Sequence, residues 1–145
     1  MKKTLWNDTL KELIAFARTD PPTKENLGMN AGMRLYKAVT AKGIKDGKAL
    51  DGRTIKIYRY FQDNVFGKEA GIDKEMRLVE TAASGGVERR NLFPMIGAAG
   101  TAKSTIAQML RESLEGTTGF CIKDCPMHEN PLKFIPRVER EKLCK

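Results

Sequence analysis

A glycine-rich segment between two apolar stretches is the part of this sequence whose residue types and spacing could do chemistry. The segment reads Gly97-Ala98-Ala99-Gly100-Thr101-Ala102-Lys103-Ser104; apolar residues 92–96 precede it, and the apolar-periodic residues 106–114 follow it. A strand, a glycine loop and a helix in this order predict a phosphate-binding P-loop. In such a loop the backbone amides and the N-terminus of the following helix point at phosphate oxygens.

The polar residues of this segment each have a role in that chemistry. Lys103 would reach the β and γ phosphates as a point charge, and the Ser104 hydroxyl would ligate Mg²⁺. The amides of residues 100–103 would cradle the β phosphate, and the predicted site ends at Thr105. The residues therefore predict a site for a magnesium nucleotide, with Mg as the expected metal.

One residue departs from the P-loop pattern G-x-x-x-x-G-K-[ST], and a second is irregular in the strand before it. Ala102 stands where the pattern has its last glycine, and its Cβ is expected to restrict the backbone and crowd the closest phosphate. Pro94 interrupts the preceding strand, because proline cannot donate a ladder hydrogen bond. The alternative interpretation is an ordinary strand-to-helix turn with an exposed lysine.

Composition is typical of one globular domain with a basic surface. The chain has 145 residues, 26 Lys and Arg against 18 Asp and Glu, and a formal net charge of +8. The basic residues are scattered among acids, which indicates a solvated surface and makes nucleic acid an improbable partner. No apolar run approaches the roughly 18 residues of a membrane span, and three cysteines do not suggest a disulfide framework. We therefore expect a cytoplasmic protein without membrane contact.

Helical signals dominate the first forty residues. Thr9 and Glu12 have capping-box spacing, and Asp20-Pro21-Pro22 should end the first helix. Residues 31–39 are predicted to form a second helix. Residues 1–53 are thus expected to be a helical extension followed by a turn-rich connection.

The rest of the chain, residues 54–145, is predicted to be an α/β core. Thr54–Tyr58 alternate as in a strand, and Asp46-Gly47 and Asp51-Gly52 mark turns before it. Ile72, Met76, Val79 and Ala83 recur at helical spacing, which predicts a helix ending before Gly85-Gly86.

Several further segments resemble the N-terminal AAA-type region of the PrkA family of serine protein kinases. Residues 97–104 are similar to the AAA form GPPGTGKT, with alanine in place of both prolines and of the last glycine. The other similar segments are Tyr58–Phe61 with Val65–Glu69, Ala82–Arg90, Cys125–Leu132, and the first helix ending at Asp20-Pro21. Four such segments in the right order are more specific than one degenerate loop.

The resemblance implies a P-loop fold of AAA type: a partial parallel sheet with helices, preceded by a small helical extension. It implies ATP binding and hydrolysis coupled to serine protein kinase activity, with a protein substrate. It also places Val65, Phe66 and Gly67 where AAA proteins contact the adenine base. The alternative is that Val65 and Phe66 belong to the core.

An AAA ATPase also needs an apolar strand ending in Asp-Glu, and residues 105–145 contain none. The nearest candidate, residues 120–124, resembles the strand after the P-loop helix. A truncated or degenerate member, or a fragment, is therefore expected, able to bind a nucleotide without turning it over. The exposed edges of a partial parallel sheet would favour oligomers.

Two weaker alternatives remain from the residues. Cys121, Cys125 and His128, with a distant Cys144, have spacing near that of a zinc site, although the pattern is unlike common fingers and ribbons. The second functional hypothesis is a non-catalytic basic module that binds protein or nucleic acid and carries an inactive P-loop. Steep salt dependence would distinguish nucleic-acid binding from nucleotide binding.

Overall fold

The computed structural model describes residues 8–86, 94–138 and 140, and its contacts divide the chain into two compact units. One unit comprises residues 1–29 and 118–145, and the other comprises residues 30–117. The elements are α1 (Leu10–Thr19), α2 (Pro21–Gly28), α3 (Ala31–Thr40), β1 (Ile44–Lys48), β2 (Thr54–Tyr58), α4 (Glu69–Ala83) and α5 (Lys103–Glu115), with 3₁₀ helices at Arg59–Phe61 and Pro131–Phe134.

The first unit contains two helices that share one capping residue. Thr9 and Glu12 form the predicted capping box, with the Glu12 amide donating to the Thr9 hydroxyl oxygen at 3.4 Å. The Asp20 amide donates to the Phe16 carbonyl at 2.9 Å and ends α1, as predicted. The Asp20 carboxylate accepts from the Thr23 amide at 2.9 Å and so caps α2, which the sequence analysis did not predict. Proline suits the first position of a helix, so the signal that stops α1 also starts α2.

In the second unit, β1 and β2 form an antiparallel hairpin in which Ile44 lies opposite Tyr58 and Lys48 lies opposite Thr54. The predicted strand Thr54–Tyr58 is confirmed. Residues 41–53, predicted to be a turn-rich connection, also contain β1, which the sequence analysis did not predict. β1 is mostly exposed and lacks apolar alternation, so the pattern carries no strand signal. Residue 53, where a boundary was predicted, lies in the turn of this hairpin.

This hairpin is the only sheet among the described residues. The predicted parallel sheet is not shown there, and residues 94–98 and 117–122 form no strand. Leu92 and Phe93, the start of the strand predicted before the glycine loop, lie outside the described residues. β1 is an edge strand that contains Lys45 and Lys48, and lysines in an edge strand oppose strand addition. Oligomerisation through sheet edges stays a prediction.

The core of the second unit joins the hairpin to all three of its helices. Its buried members are Val39, Tyr58, Phe61, Val65, Ile72, Met76, Ile106 and Met109. The predicted apolar stripe of α4 is confirmed, since Ile72 and Met76 are buried and Val79 packs against the cluster. Because α5 contributes Ile106 and Met109, the helix that follows the glycine loop is anchored in this core.

A buried carboxylate ties α4 to β2. Asp73 is only 4% exposed; its carboxylate accepts from the Lys56 amide at 3.1 Å and from Arg77 Nε at 2.9 Å. Lys56 lies opposite Asp46, in the part of the antiparallel ladder where its amide points away from β1. Asp73 therefore satisfies a backbone donor on the open edge of β2.

A second polar contact joins α3, β2 and α4. The Tyr36 hydroxyl donates to Glu80 Oε1 at 2.9 Å, and Lys56 Nζ donates to Glu80 Oε2 at 3.1 Å. The hydrogen bonds from Lys56 and then Tyr36 lower the pKa of Glu80 below its ordinary value.

No helix among the described residues is long and apolar enough to cross a membrane.

The substitution Asp73→Ala should destabilise the second unit. It leaves the Lys56 amide without its acceptor, and an unsatisfied buried donor costs about 1–3 kcal/mol. Urea denaturation followed by circular dichroism measures the change. The control Asp63→Ala removes an exposed acid in the same unit and should change stability by less than about 0.5 kcal/mol. Equal effects of the two substitutions would contradict this role.

Stability should fall in acid partly through Glu80. Because the pKa of Glu80 is lowered by folding, its contribution is present above the unfolded value of about 4.3 and is lost as pH falls through the lower folded pKa. Glu80→Gln should reduce the loss of stability on acidification in this range. Urea midpoints between pH 3 and pH 7 test this, and identical pH slopes for the two proteins would refute it.

Candidate functional site

The glycine loop turns sharply into α5 through two residues with left-handed backbone. Gly100 has φ 77° and Ala102, the residue before α5, has φ 58°. The Ile106 amide donates to the Ala102 carbonyl at 2.9 Å as the first hydrogen bond of the helix. The amides of Lys103, Ser104 and Thr105 therefore have no partner within α5. Ala102 provides no side-chain cap, so these donors suit an anion.

Lys103 curls back over the loop that precedes it. Its Nζ donates to the carbonyl oxygens of Gly97, at 2.8 Å, and Ala98, and to the Thr101 hydroxyl oxygen at 2.9 Å. Thr101 in turn donates its hydroxyl proton to the Ala98 carbonyl at 2.8 Å. The ammonium group is thus held by loop oxygens, and we call these four hydrogen bonds the Lys103 clasp.

Positive charge is concentrated at the start of α5. Lys103 is the first residue of α5, and no acidic residue lies in the first turn. The helix dipole places partial positive charge at the same end, so the lysine and the free amides repel one another. A phosphate group would relieve this repulsion, which makes the predicted phosphate site physically consistent with the residues present.

Ser104 and Thr105 lie in the first turn of α5, and both are exposed. Ile106, the next residue, is buried in the core and fixes this turn. The Ser104 hydroxyl is therefore on the solvent side of a fixed helix start, where it is able to ligate a metal ion that accompanies a phosphate.

Ala102 accommodates the backbone that the P-loop pattern gives to glycine. It adopts the left-handed region and is half-buried, packed against the core cluster. A non-glycine residue in this region costs about 1–2 kcal/mol. Burial of the methyl group offsets part of that cost, at about 0.8 kcal/mol for one carbon.

The three residues predicted to contact adenine lie between the 3₁₀ helix Arg59–Phe61 and α4. Val65 is 4% exposed and belongs to the core cluster, whereas Phe66 is 76% exposed. Gly67 has φ 69°, and its amide donates to Glu69 Oε1 at 3.2 Å. Phe66 is the member of this group with a large apolar face open to solvent.

Tyr60 also supports the site, although the sequence analysis gave it no individual role. Its hydroxyl donates to the Met109 carbonyl at 2.8 Å and so ties the segment before Val65 to α5. Lys42 Nζ lies 5.0 Å from the centre of its ring. The sequence gives no signal for the bond between Tyr60 and Met109, because the acceptor is a backbone carbonyl 49 residues away.

The zinc alternative gains no support from the described residues. Cys121 is exposed and Cys125 half-buried, and no three His, Cys, Asp or Glu side chains come together there as metal ligands. Cys144 lies outside the described residues. A cleft in the first unit, lined in part by Ile14, Leu27 and Leu132, contains none of the predicted site residues.

Comparison with known proteins defines the class. The family model described as PrkA AAA domain matches residues 9–145, so the chain belongs to the PrkA AAA domain family. It is 30% identical over 146 residues to the "ATP-dependent protease PrkA" of Bacillus subtilis (strain 168). The match covers 94% of this chain and 21% of that relative. No solved structure matches at a significant level.

Two reciprocal substitutions test the loop backbone. Gly100→Ala should destabilise the second unit by about 1–2 kcal/mol, because its Cβ meets no neighbour and the cost lies in the positive φ alone. Ala102→Gly should be nearly neutral, because the relief of strain is offset by lost methyl packing and a more flexible unfolded chain. Urea denaturation measures both. A neutral Gly100→Ala would show that the loop does not hold this backbone.

Proposed function

We propose that this chain binds Mg-ATP at residues 97–105. The observation that carries the proposal is the start of α5, where a lysine, free amides and the helix dipole concentrate positive charge with no acid to balance it. Membership of an AAA domain family supports a nucleotide as the source of the phosphate. Other anions lack the base and ribose that a nucleotide site would also bind.

Each residue of the loop has a defined task in this proposal. Lys103 neutralises phosphate charge, the amides of residues 100–103 donate hydrogen bonds to the β phosphate, and Ser104 holds Mg²⁺. A bound Mg²⁺ held by Ser104 would neutralise phosphate charge. Phe66 offers a face for stacking on the adenine base, whereas Val65 contributes to the core that supports it.

The activity that uses the nucleotide is proposed for the longer protein. The chain spans about a fifth of the length of its Bacillus subtilis relative. That relative is named an ATP-dependent protease, whereas the sequence resemblance implies a serine protein kinase. Both activities consume ATP, so ATP binding is the step that this chain would supply in either case, with a protein as the substrate of the complete machine.

Hydrolysis by this chain alone is not part of the proposal. Residues 105–145 contain no run of four apolar residues followed by Asp-Glu, the pattern that holds the metal and orients water in AAA ATPases. We expect binding without measurable turnover. Any further catalytic groups would come from other parts of a longer chain or from a neighbouring copy.

Calorimetric titration of Mg-ATP into the folded chain tests the proposal. Wild type should bind with micromolar affinity, and Lys103→Ala should weaken binding at least tenfold, because a charged hydrogen bond contributes about 1.5–3 kcal/mol. The control Lys74→Ala removes an exposed lysine of α4 and should leave affinity unchanged. Circular dichroism checks that each variant folds.

The outcomes separate this proposal from the basic-module hypothesis. No heat from folded wild type would refute nucleotide binding. Equal weakening by both lysine substitutions, with steep salt dependence, would indicate nonspecific attraction of a polyanion. Removal of Mg²⁺ with EDTA should weaken binding in wild type and have less effect in Ser104→Ala, if Ser104 holds the metal.

A further inference from the structure

The Thr101 hydroxyl occupies a central position in the Lys103 clasp. Its oxygen accepts from Lys103 Nζ at 2.9 Å, and its proton goes to the Ala98 carbonyl at 2.8 Å. A hydroxyl can do both at once because it has one donor and two acceptor lone pairs. The Ala98 bond therefore turns the acceptor side of Thr101 toward the lysine, so the hydroxyl has a fixed orientation.

Gly97 leaves room for this contact. A Cβ at residue 97 would lie 3.3 Å from the Thr101 hydroxyl oxygen and 3.9 Å from Lys103 Nζ. The first distance is tighter than ordinary van der Waals contact, so a side chain there would push the hydroxyl aside. Gly97, at the start of the loop, therefore leaves space for the hydrogen bond between Thr101 and Lys103 at its end.

The hydrogen bonds of the clasp also show how a phosphate can enter it. All three donors of the Lys103 ammonium are used by loop oxygens, so a bound phosphate must replace at least one acceptor. The Ala98 carbonyl accepts from both Lys103 and Thr101. When a phosphate oxygen replaces the Ala98 carbonyl as an acceptor of Lys103, that carbonyl still accepts from Thr101. The replacement therefore leaves no acceptor unpaired.

We propose that Thr101 is a positioning residue: its hydroxyl holds the Lys103 ammonium at the loop before the phosphate arrives. This inference rests on the proposed function. A lysine has a flexible stem and a strongly hydrated charge, so without the hydroxyl it gains freedom to extend into water. Fixing the ammonium beforehand reduces the entropy lost on binding, and Thr101 thereby raises nucleotide affinity.

The test compares Thr101→Val, which keeps the shape and removes the hydroxyl, with Thr101→Ser, which keeps the hydroxyl. Calorimetry should show Mg-ATP affinity about tenfold weaker for the valine variant and within twofold of wild type for the serine variant. Equal loss in both variants would overturn the positioning role, because the serine variant keeps the hydroxyl on which that role depends.

A second readout needs no nucleotide. Limited acetylation of the unliganded chain, read by peptide mass spectrometry, gives the reactivity of the Lys103 amine relative to the exposed Lys74. Thr101→Val should raise this ratio several-fold, and Thr101→Ser should not. An unchanged ratio in the valine variant would overturn the clasp itself, whether or not ATP binds.

The two readouts keep the hypotheses distinct. If wild type does not bind Mg-ATP, the proposed function fails and the positioning role fails with it, while acetylation still decides whether the clasp exists. If Thr101→Val raises the acetylation of Lys103 relative to Lys74 but leaves the affinity for Mg-ATP unchanged, the positioning role is refuted. Thermal unfolding checks each variant, and Thr101→Ala replaces the valine variant if that one does not fold.

Discussion

The burial of Ile106 and Met109 in the core of the second unit is the contact on which the candidate site depends. These two side chains fix the first turns of α5 against residues from α3, β2 and α4. Lys103 lies three residues before Ile106, so the core determines where the loop ends and in which direction the free amides point. The Tyr60 hydroxyl bond to the Met109 carbonyl adds a polar tie at the same place.

Local rules of helix stability are obeyed at the starts of α1, α2 and α3, whereas α4 lacks a side-chain cap and α5 lacks both a cap and an acid in its first turn. Thr9, Asp20 and Asn30 cap α1, α2 and α3 with their side chains, and α4 has Glu69 in its first turn. α5 instead begins with a left-handed alanine, no side-chain cap and a lysine. Departures from these rules that cluster in one place are typical of a functional site, because backbone groups left without partners there are able to bind a ligand.

Sequence reasoning predicted the helices well because their signals are local. The capping box at Thr9, the stop at Asp20 and the stripe of α4 each depend on residues a few positions apart. It missed α2, because the prolines that end one helix also begin another. It missed β1, which is set by pairing with β2 and not by its own exposed residues.

The local geometry of the glycine loop was predictable only in part, and its role as a binding site stays a prediction. Lys103, Ser104 and the loop glycines are defined by spacing, and the structure places them together at the start of α5. That Val65 is buried while Phe66 is exposed depends on tertiary packing and could not be read from two adjacent apolar residues. The clasp depends on the direction of one hydroxyl, for which a threonine in a sequence gives no signal.

If the proposed function is correct, the amides at the start of α5 bind the phosphates of Mg-ATP. Two-dimensional amide NMR of the ¹⁵N-labelled chain during a Mg-ATP titration tests it most directly. We expect saturable changes in amide chemical shift concentrated at residues 97–105. The changes at Gly100, Thr101 and Lys103 should be the largest. Shifts confined to other residues, or none at millimolar nucleotide in a folded chain, would contradict it.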